Sequence, residues 1–480
     1  MSLTDTLCKK VTELFPFPPA PQQEIVIDRL SEFYTAQVEH PLFILKGYAG
    51  TGKTTLLSAF VKALRLEKRK TILLAPTGRA AKVFSLRADQ PAYTIHKRIY
   101  RKEKIAGGGI QLGLAPNLHT NTLFLVDEAS MIGDYTQQND GSISPRNLLE
   151  DLINFVYNGK NCKMIFIGDE GQLPPVGAEF SPALNFEHLQ NHYPKLTISG
   201  EQLTEVLRQS FDSDILLNAT ALRSAPENSF PRFEIHKKND LVRLPGDELE
   251  DTLDSSFSNY GTTETIVVTR SNKRANLFNQ QIRSRIFWYD EKVVANDLLM
   301  VVRNNYFWLD DKSKTGFIAN GEIIEVDKIL GKESMYGFEF ADARIRLVDY
   351  PEMDTINVKL MLNVLDENTP NLPRAKMKEL FFEVEKEYAF ERNKKKRYER
   401  IMADPYFNAL QVKYAYAVTC HKSQGGQWPC VFIDQGFLNE DMLDHSYFRW
   451  LYTAFTRATE KLYLINFHKS FFGEENDEDL

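Results

Sequence analysis

The sequence predicts an α/β protein organised around a parallel sheet with helices on both faces. Three apolar segments support this class, because "PLFILK", "NTLFLV" and "CKMIFI" have the composition of buried strands and helix-forming stretches separate them. Each segment is followed by glycine or polar residues. Since the carboxyl ends of parallel strands meet at one edge of a sheet, we expect the functional side chains to converge there.

The first segment runs into "GYAGTGKTT", which has the spacing of a phosphate-binding loop. Its glycines let backbone N–H groups turn toward an anion, and the helix that follows adds the positive end of its dipole. In this pattern Lys53 reaches the β- and γ-phosphates and the Thr54 hydroxyl holds Mg²⁺. We therefore expect a nucleoside triphosphate as ligand, rather than an ordinary strand-to-helix turn. The expected contacts are Gly47, Gly50, Thr51, Gly52, Lys53, Thr54 and Thr55.

The other two segments deliver candidate catalytic groups to the same edge. Asp127 and Glu128 follow the second strand, where one carboxylate can bind Mg²⁺ and the other can orient or deprotonate the attacking water. Gln172 follows the third strand, and its amide can contact both the γ-phosphate and that water. A solvated acidic turn is the alternative for the two acids. This set alone fits kinases, GTPases and motors equally.

The length, apolar content and net charge of the chain limit its domain number, its location and the kind of nucleic-acid site it can have. The 480 residues suggest about three or four domains, and 43% of them are hydrophobic and 26% charged. We expect a cytoplasmic protein, since no apolar run approaches about 18 residues and the amino terminus lacks the pattern of a signal peptide. The net charge of −7 provides no global attraction to nucleic acid, so any such site must be a local channel.

The order of the motifs resembles that of the superfamily-1 helicases, in the RecD/Dda-like group of superfamily 1B. The motifs that carry the resemblance are "GYAGTGKT", "APTGRAA", "TIH", "VDEASMI", "GDEGQLPPVG", "LTEVLRQ", "YAYAVTCHKSQGGQW" and "LYTAFTRATEKL". The last two are the most specific, because P-loop kinases and GTPases have no use for them. The segment "DLLMVVRNNYFW…GFIANGEI" is similar to the entry into the SH3-like insertion of the same group.

The resemblance implies roles on the nucleotide side. Gln23 fits the position that reads adenine, with Gln22 as the alternative register. Arg208 and Arg457 match two arginines that approach the γ-phosphate when the lobes close, although each could instead form a surface ion pair. Gln424 and Gly425 would couple the cleft to the DNA strand. The implied catalytic residues are Lys53, Asp127, Glu128, Gln172, Arg208 and Arg457.

The resemblance also implies a single-strand path made of groups that hold phosphates without reading bases. A capping threonine or a hydrogen-bonded core histidine is the alternative for each member. Lys422 would add charge to the path, and Asn272 would either contact the strand or cap a helix. The implied DNA-binding residues are Thr77, His96, Asn272, Thr419 and His421.

The implied architecture consists of two RecA-like P-loop lobes, a small hairpin insertion in the first and an SH3-like β insertion in the second. The expected units are an amino-terminal segment 1–21, lobe 1A at 22–213 with a hairpin 1B at about 97–120, lobe 2A at 214–305 and 406–472, an SH3-like domain 2B with a helical extension at 306–405, and an acidic tail at 473–480.

Two features of these units have a functional and a neutral interpretation. The hairpin turns at Gly107-Gly108-Gly109 and is either the pin that splits a duplex, with Tyr100 stacking on the fork, or a plain surface loop. The basic run from Lys394 to Arg397 is either a DNA clamp or, more often in proteins, a solvated helix face.

The function that the resemblance implies is an ATP-dependent DNA helicase that moves 5′→3′ on single-stranded DNA. Its cofactors would be ATP and Mg²⁺, and its partners single-stranded and forked DNA, with single-strand-binding or repair proteins as further candidates. We expect a monomer acting in DNA repair, recombination or replication. Two alternatives stay open: a translocase that strips proteins from DNA, and a nucleotide-dependent DNA-binding subunit of a larger complex.

Overall fold

The computed structural model describes residues 2–104, 110–134, 136–137, 146–206, 213–226, 229–236, 239–309 and 317–473. The amino-terminal half contains seven α-helices and ten strands within these ranges. They are α1 (Leu3–Glu13), α2 (Pro21–Thr35), β1 (Pro41–Gly47), α3 (Lys53–Leu66), β2 (Lys70–Ala75), α4 (Gly78–Ala88), β3 (Ala92–Thr94), α5 (Ile95–Ile99), β4 (Tyr100–Lys104), β5 (Ile110–Leu114), β6 (Thr122–Val126), β7 (Thr136–Gln137), β8 (Arg146–Asn147), α6 (Leu148–Tyr157), β9 (Lys163–Gly168), α7 (Phe186–His192) and β10 (Thr197–Leu203).

Six of these strands form a parallel sheet in the order β10-β1-β9-β6-β2-β3. Its central strands are buried on both faces, which explains why the three segments are continuously apolar instead of alternating. Helices α1 to α3 cover one face around Phe60, and α5 to α7 cover the other around Phe124. The predicted α/β class is therefore confirmed.

The second half contains a further parallel sheet and a barrel. Its elements are α8 (Asp214–Arg223), β11 (Leu241–Leu244), α9 (Leu249–Tyr260), β12 (Thr265–Thr269), α10 (Asn272–Gln281), β13 (Leu298–Val301), β14 (Ile323–Met335), β15 (Phe338–Leu347), β16 (Ile356–Met361), α11 (Arg374–Glu387), α12 (Lys394–Met402), β17 (Leu410–Tyr414), β18 (Ala417–Thr419), α13 (Cys420–Ser423), β19 (Trp428–Asp434), α14 (His445–Phe455) and β20 (Ala458–Ile465). The sheet has the order β11-β20-β19-β12-β18, with every neighbouring pair parallel. The predicted pair of parallel sheets is thus present.

The insertion in the second half closes into a five-stranded barrel, β13 to β17. Its first and last strands are β13 and β17, which the sequence-based boundaries place in lobe 2A and not in the insertion at 306–405. Both strands are fully buried and pair with each other in antiparallel fashion. The barrel therefore extends beyond the predicted insertion, because closure requires both strands.

The predicted helical extension consists of two helices, α11 and α12, which pack with the end of the barrel through Leu380, Val384 and Ile401. The basic run from Lys394 to Arg397 forms the first turn of α12, where Asn393 accepts hydrogen bonds from the N–H groups of Lys395 and Lys396. Its three lysines are exposed and lie at the positive end of the helix dipole, which is unfavourable for the helix. The clamp stays a prediction.

The hairpin of the first half pairs β4 with β5, in a register that sets Tyr100 opposite Leu114. The Gly107-Gly108-Gly109 turn and the acidic tail from residue 474 lie outside the described residues. Tyr100 donates a hydrogen bond to Asp151 Oδ2 at 2.8 Å, and the Arg146 guanidinium lies 5.2 Å from its ring centre. The structure thus anchors Tyr100 on α6, which argues against its predicted role as a stacking residue at a fork.

No helix in the described part of the chain combines the length and the apolar character needed to cross a membrane.

A buried acid beside the barrel lies against α4, which belongs to the first half of the chain. Glu322 precedes β14, is 2% exposed, and its Oε2 has no hydrogen-bond partner among the described residues. A Cβ atom on Gly78, the first residue of α4, would lie 2.6 Å from Glu322 Oε1, so only glycine permits this contact. Burial, reinforced by Asp349, raises the pKa of Glu322 to about 8, and Lys97 acts in the opposite direction. Asp349 itself pairs with Lys82.

We expect Glu322→Gln to increase the free energy of unfolding, and more so as the pH rises. Between pH 4.5, the ordinary pKa, and about 8, the folded chain retains a proton at Glu322 that the unfolded chain releases. The contribution of this group to stability therefore falls through that window and is constant above it. Urea unfolding of both proteins at several pH values measures the difference. A constant difference from pH 5 to pH 8 would contradict the assigned burial of the acid.

Candidate functional site

The loop between β1 and α3 has the geometry of an anion cradle. Gly50 and Gly52 have φ values of 78° and 81°, which lie in the left-handed region where residues with a Cβ are strained. Gly52 precedes the first residue of α3. The loop therefore turns in a way that presents the start of α3 to a ligand, as the sequence predicts.

Lys53 lies inside this cradle. Its Nζ donates hydrogen bonds to the carbonyl oxygens of Gly47 and Tyr48, the second at 2.8 Å. Burial lowers the pKa of Lys53, whereas the negative charges of Asp169, Glu128 and Asp127 act to raise it. A buried ammonium group held by loop carbonyls is the group that phosphate oxygens would attract.

The two acids after β6 occupy distinct positions. Asp127 Oδ1 accepts a hydrogen bond from the Glu128 N–H at 2.9 Å. Burial, together with the Glu128 charge, raises the pKa of Asp127 to about 6. Glu128 has φ 52°, a left-handed conformation that costs a non-glycine residue energy and that occurs preferentially at functional sites. The predicted roles in binding Mg²⁺ and activating water stay predictions, and oxygen ligands of this kind suit that ion.

The residues that follow β9 contact the second half of the chain. Asp169 is 1% exposed, and its Oδ2 accepts a hydrogen bond from the Tyr452 hydroxyl of α14 at 2.6 Å. The same hydroxyl accepts a hydrogen bond from the Ala49 N–H of the phosphate-binding loop at 2.9 Å. Gln172 is also buried, and its Oε1 has no partner among the described residues. An amide oxygen in this state is suited to accept a hydrogen bond from a ligand or water.

The structure distinguishes the two glutamines proposed for the adenine position. Gln23 is buried and its Nε2 donates to the carbonyl oxygen of Thr51 at 3.2 Å, within the phosphate-binding loop. Gln22 instead accepts hydrogen bonds from the N–H groups of Thr204 and Glu205, after β10. Gln23 therefore lies beside the loop, whereas adenine recognition by it stays a prediction.

The structure describes only one of the two arginines that are predicted to approach the γ-phosphate. Arg208 lies outside the described residues. Arg457 is 2% exposed, and its guanidinium donates to the carbonyl oxygens of Thr453 and Gly426 and to the hydroxyl of Thr456, all at 3.0–3.1 Å. These bonds must be exchanged before Arg457 can approach a phosphate.

A second set of contacts joins α4 to the segment before β19. Arg79 Nη2 donates to the Gln427 carbonyl oxygen at 2.9 Å, and its guanidinium lies 4.0 Å from the Trp428 ring centre. Arg87 donates to both Thr54 Oγ1 and Gln427 Oε1. The predicted Mg²⁺ ligand Thr54 is therefore linked to the second half of the chain. A cleft of about 380 Å³ beside it is lined by Leu14, Pro16, Thr54, Thr55, Ser58, Ala59, Lys62 and Arg87.

The predicted path for single-stranded DNA begins at α4 and α5. Thr77 precedes α4, and its hydroxyl accepts a hydrogen bond from the Ala80 N–H at 3.2 Å. Gly425 approaches this turn so closely that a Cβ would lie 3.1 Å from Thr77 Oγ1 and 2.8 Å from Ala80 Cβ. His96 belongs to α5, with its ring 5.5 Å from that of Tyr100. The structure thus brings Gly425 and Thr77 into contact across the two halves.

The carboxyl-terminal part of the path lies around α13. Thr419 precedes this helix and, like Thr77 before α4, stands at a helix start, while burial lowers the pKa of His421. Lys422 Nζ donates to Asn320 Oδ1 of the barrel at 2.6 Å, and burial lowers its pKa to about 8. Gln424 Nε2 donates to the carbonyl oxygen of Leu173, the residue after Gln172, at 2.7 Å. Gln424 therefore links the path to the nucleotide edge.

The structure tests the prediction that Asn272 caps a helix. It is the first residue of α10, and Ser271 rather than Asn272 caps the helix by accepting a hydrogen bond from the Arg274 N–H at 3.2 Å. The capping alternative is therefore wrong, and contact with DNA stays a prediction.

Sequence reasoning missed several residues that join the halves, among them Tyr452, Arg79, Arg87 and Glu322. Tyr452 and Arg79 lie within quoted motifs, so their position in "LYTAFTRATEKL" and "APTGRAA" was an available signal. Arg87 and Glu322 are recognisable only from their contacts across the interface.

Comparison with known proteins agrees with these motifs. An AAA domain model matches residues 31–244, and a model of the UvrD-like helicase C-terminal domain matches residues 414–465. The chain is 22% identical to an uncharacterized protein of Acanthamoeba polyphaga mimivirus, with 92% of the chain and 98% of that protein covered.

Two named helicases are also similar to the chain. The ATP-dependent DNA helicase dda of Enterobacteria phage T4 is 25% identical, over 62% of this chain and 64% of dda. The ATP-dependent RecD2 DNA helicase of Deinococcus radiodurans is 30% identical, over 42% of this chain and 23% of RecD2. The chain thus spans less than two thirds of either helicase. A crystal structure of Pif1 helicase from Candida albicans aligns with 96% of this chain and 97% of its own, at 15% identity and a TM-score of 0.45.

The two matched models cover the phosphate-binding loop and the carboxyl-terminal motifs in the order that the sequence resemblance requires. Both named helicases come from the group that this resemblance indicates. The matched models and the two named helicases therefore agree with the similarity of this chain to the superfamily-1B helicases of the RecD/Dda-like group.

Proposed function

We propose that this chain is an ATP-dependent DNA helicase that translocates on single-stranded DNA and separates duplexes. The observation that carries the proposal is the bond from Gln424 to the Leu173 carbonyl, because it joins the predicted strand path to the residue beside Gln172. A translocating helicase requires such a connection between its ATP site and its DNA-binding site. The similarity to dda and RecD2, each an ATP-dependent DNA helicase by name, supports the same function.

The residues around the phosphate-binding loop fit Mg-ATP. The buried ammonium of Lys53 is suited to phosphate oxygens. Gln172 Oε1, which has no partner in the part of the chain that the structure describes, is suited to the attacking water. Thr54 and Asp127 would hold Mg²⁺, which supplies charge neutralisation on the phosphates. Glu128 would orient the water and accept its proton.

Movement on DNA follows from coupling between the two lobes. Tyr452 contacts the phosphate-binding loop and Asp169, and it lies on α14, which ends two residues before Arg457. A change in loop geometry on phosphate binding would therefore move α14 and, with it, the bonds of Arg457 to Gly426. Gly426 adjoins Gly425, which contacts the Thr77 turn on the strand path. Alternating grip by the two lobes would advance the enzyme.

We further propose that the enzyme acts as a monomer in the cytoplasm, moves 5′→3′, and works with single-strand-binding or repair proteins in repair, recombination or replication. The resemblance of the motif order to the RecD/Dda-like group supports the direction of movement.

The first test is ATP hydrolysis with Mg²⁺, in the presence and absence of single-stranded DNA of no particular sequence. We expect DNA to stimulate the wild type strongly. Lys53→Ala should abolish turnover, and Glu128→Gln should lower it by about 100-fold or more, because a positioned general base contributes about that much. A wild-type rate that DNA does not change would contradict the motor. Full activity of Lys53→Ala would contradict the nucleotide site.

The direction of movement is tested with duplexes that carry a single-stranded tail at one end. We expect unwinding from a 5′ tail and none from a 3′ tail, with Lys53→Ala as the control for dependence on hydrolysis. Unwinding only from a 3′ tail would refute the direction. DNA-stimulated hydrolysis without unwinding of either substrate would favour the protein-stripping translocase.

The coupling through Tyr452 is tested by Tyr452→Phe, which removes one hydroxyl. Loss of its bonds leaves Asp169 buried with one donor fewer, so we expect the DNA-stimulated rate to fall by about tenfold. Tyr260→Phe, at the end of α9 in the second lobe, is the matched control. Equal rates for the two variants would show that the Tyr452 bridge does not couple the lobes.

A further inference from the structure

One arginine faces the phosphate-binding loop without belonging to any of the quoted motifs. Arg223 is the last residue of α8, in the second half of the chain. Ile215, Ala219 and Leu222 of this helix pack in the same core as Leu451 of α14. Arg223 is therefore fixed to the element that carries Tyr452, and it moves with the second lobe.

The guanidinium of Arg223 lies directly over the loop. Its Cζ is 3.8 Å from the ring centre of Tyr48, which stands between Gly47 and Ala49. The charge of Arg223 also acts to lower the pKa of Lys53, so the two cations lie near each other. Two like charges near each other repel, and an anion between them would offset this repulsion.

The hydrogen-bonding state of Arg223 is unusual. Its Nε and Nη1 are buried and have no acceptor among the residues that the structure describes. Stacking on Tyr48 accounts for the position of the guanidinium plane, but it satisfies neither N–H group. Buried donors without acceptors are rare in folded proteins and require an explanation.

Of the two arginines expected from the sequence, the one that the structure describes does not offer free donors to the loop. Arg457 is committed to oxygen atoms of its own lobe, and Arg208 lies outside the described residues. An anion held by the loop beside Lys53 would accept from Arg223 and separate the two positive charges. The terminal phosphate of a nucleoside triphosphate is such an anion.

We propose that Arg223 contacts the terminal phosphate of the bound nucleotide and is a further residue of the hydrolytic site. Arg223 donates from Nε and Nη1 to the terminal phosphate oxygens when the lobes close, while Tyr48 supports its guanidinium. The contact is absent with a diphosphate, so Arg223 gives the second lobe a means to distinguish the substrate from the product. This inference rests on the proposed ATPase function.

The test compares the affinity of the full chain for ADP and for the non-hydrolysable analogue β,γ-imido-ATP, each with Mg²⁺. We expect Arg223→Ala to weaken analogue binding by about 10- to 100-fold and to leave ADP binding unchanged, since a hydrogen bond to a charged group has about that effect. Retained ADP binding also shows that the variant is folded. Arg223→Lys should restore part of the preference, because the charge persists without the planar fork.

Arg243→Ala is the matched control, because Arg243 also stacks on an aromatic ring of the second lobe, 4.4 Å from the centre of Phe472. We expect it to keep the wild-type preference for the analogue. Equal weakening of both nucleotides by Arg223→Ala would show that Arg223 only supports the loop, and an unchanged preference would show no contact. Either result overturns the proposal. Absence of nucleotide binding by the wild type would instead overturn the proposed function.

Discussion

The hydrogen bonds of one hydroxyl group, that of Tyr452, connect the two lobes at the nucleotide loop. It accepts from the Ala49 N–H and donates to the Asp169 carboxylate, so a single atom joins the loop, the end of β9 and α14. Buried polar groups must be satisfied in the folded state, and therefore the loop cannot change shape without a response from α14. The position of Arg457 and the packing of α8 both depend on that helix.

The barrel also links the two lobes, near the predicted path for single-stranded DNA. Its segment before β14 places Asn320 against Lys422 of the second lobe and Glu322 against Gly78 of the first. Among the described residues Glu322 Oε2 has no hydrogen-bond partner, and burying a polar group without one is costly. The barrel thus contacts both lobes beside the predicted path for single-stranded DNA.

Part of the fold and site could be predicted because the determining information is local. The apolar strands β1, β6 and β9 are each a short continuous run, the glycines at positive φ directly follow β1, and the two carboxylates directly follow β6. The extent of the barrel could not be predicted in this way. Strand β13 pairs with β17 across more than a hundred residues, and an isolated apolar segment does not reveal its partner.

The sequence by itself determined the α/β class and the phosphate-binding loop, because both are encoded in short patterns whose spacing has a direct physical meaning, and its motif order indicated the helicase resemblance. Tertiary structure decided which side chains complete the site. Ala49 and Tyr452 are 403 residues apart in the chain, and Arg223 reaches Tyr48 only after α8 packs against α14. Contacts of this kind depend on the mutual position of separate sheets, which packing of the whole chain establishes and no local pattern encodes.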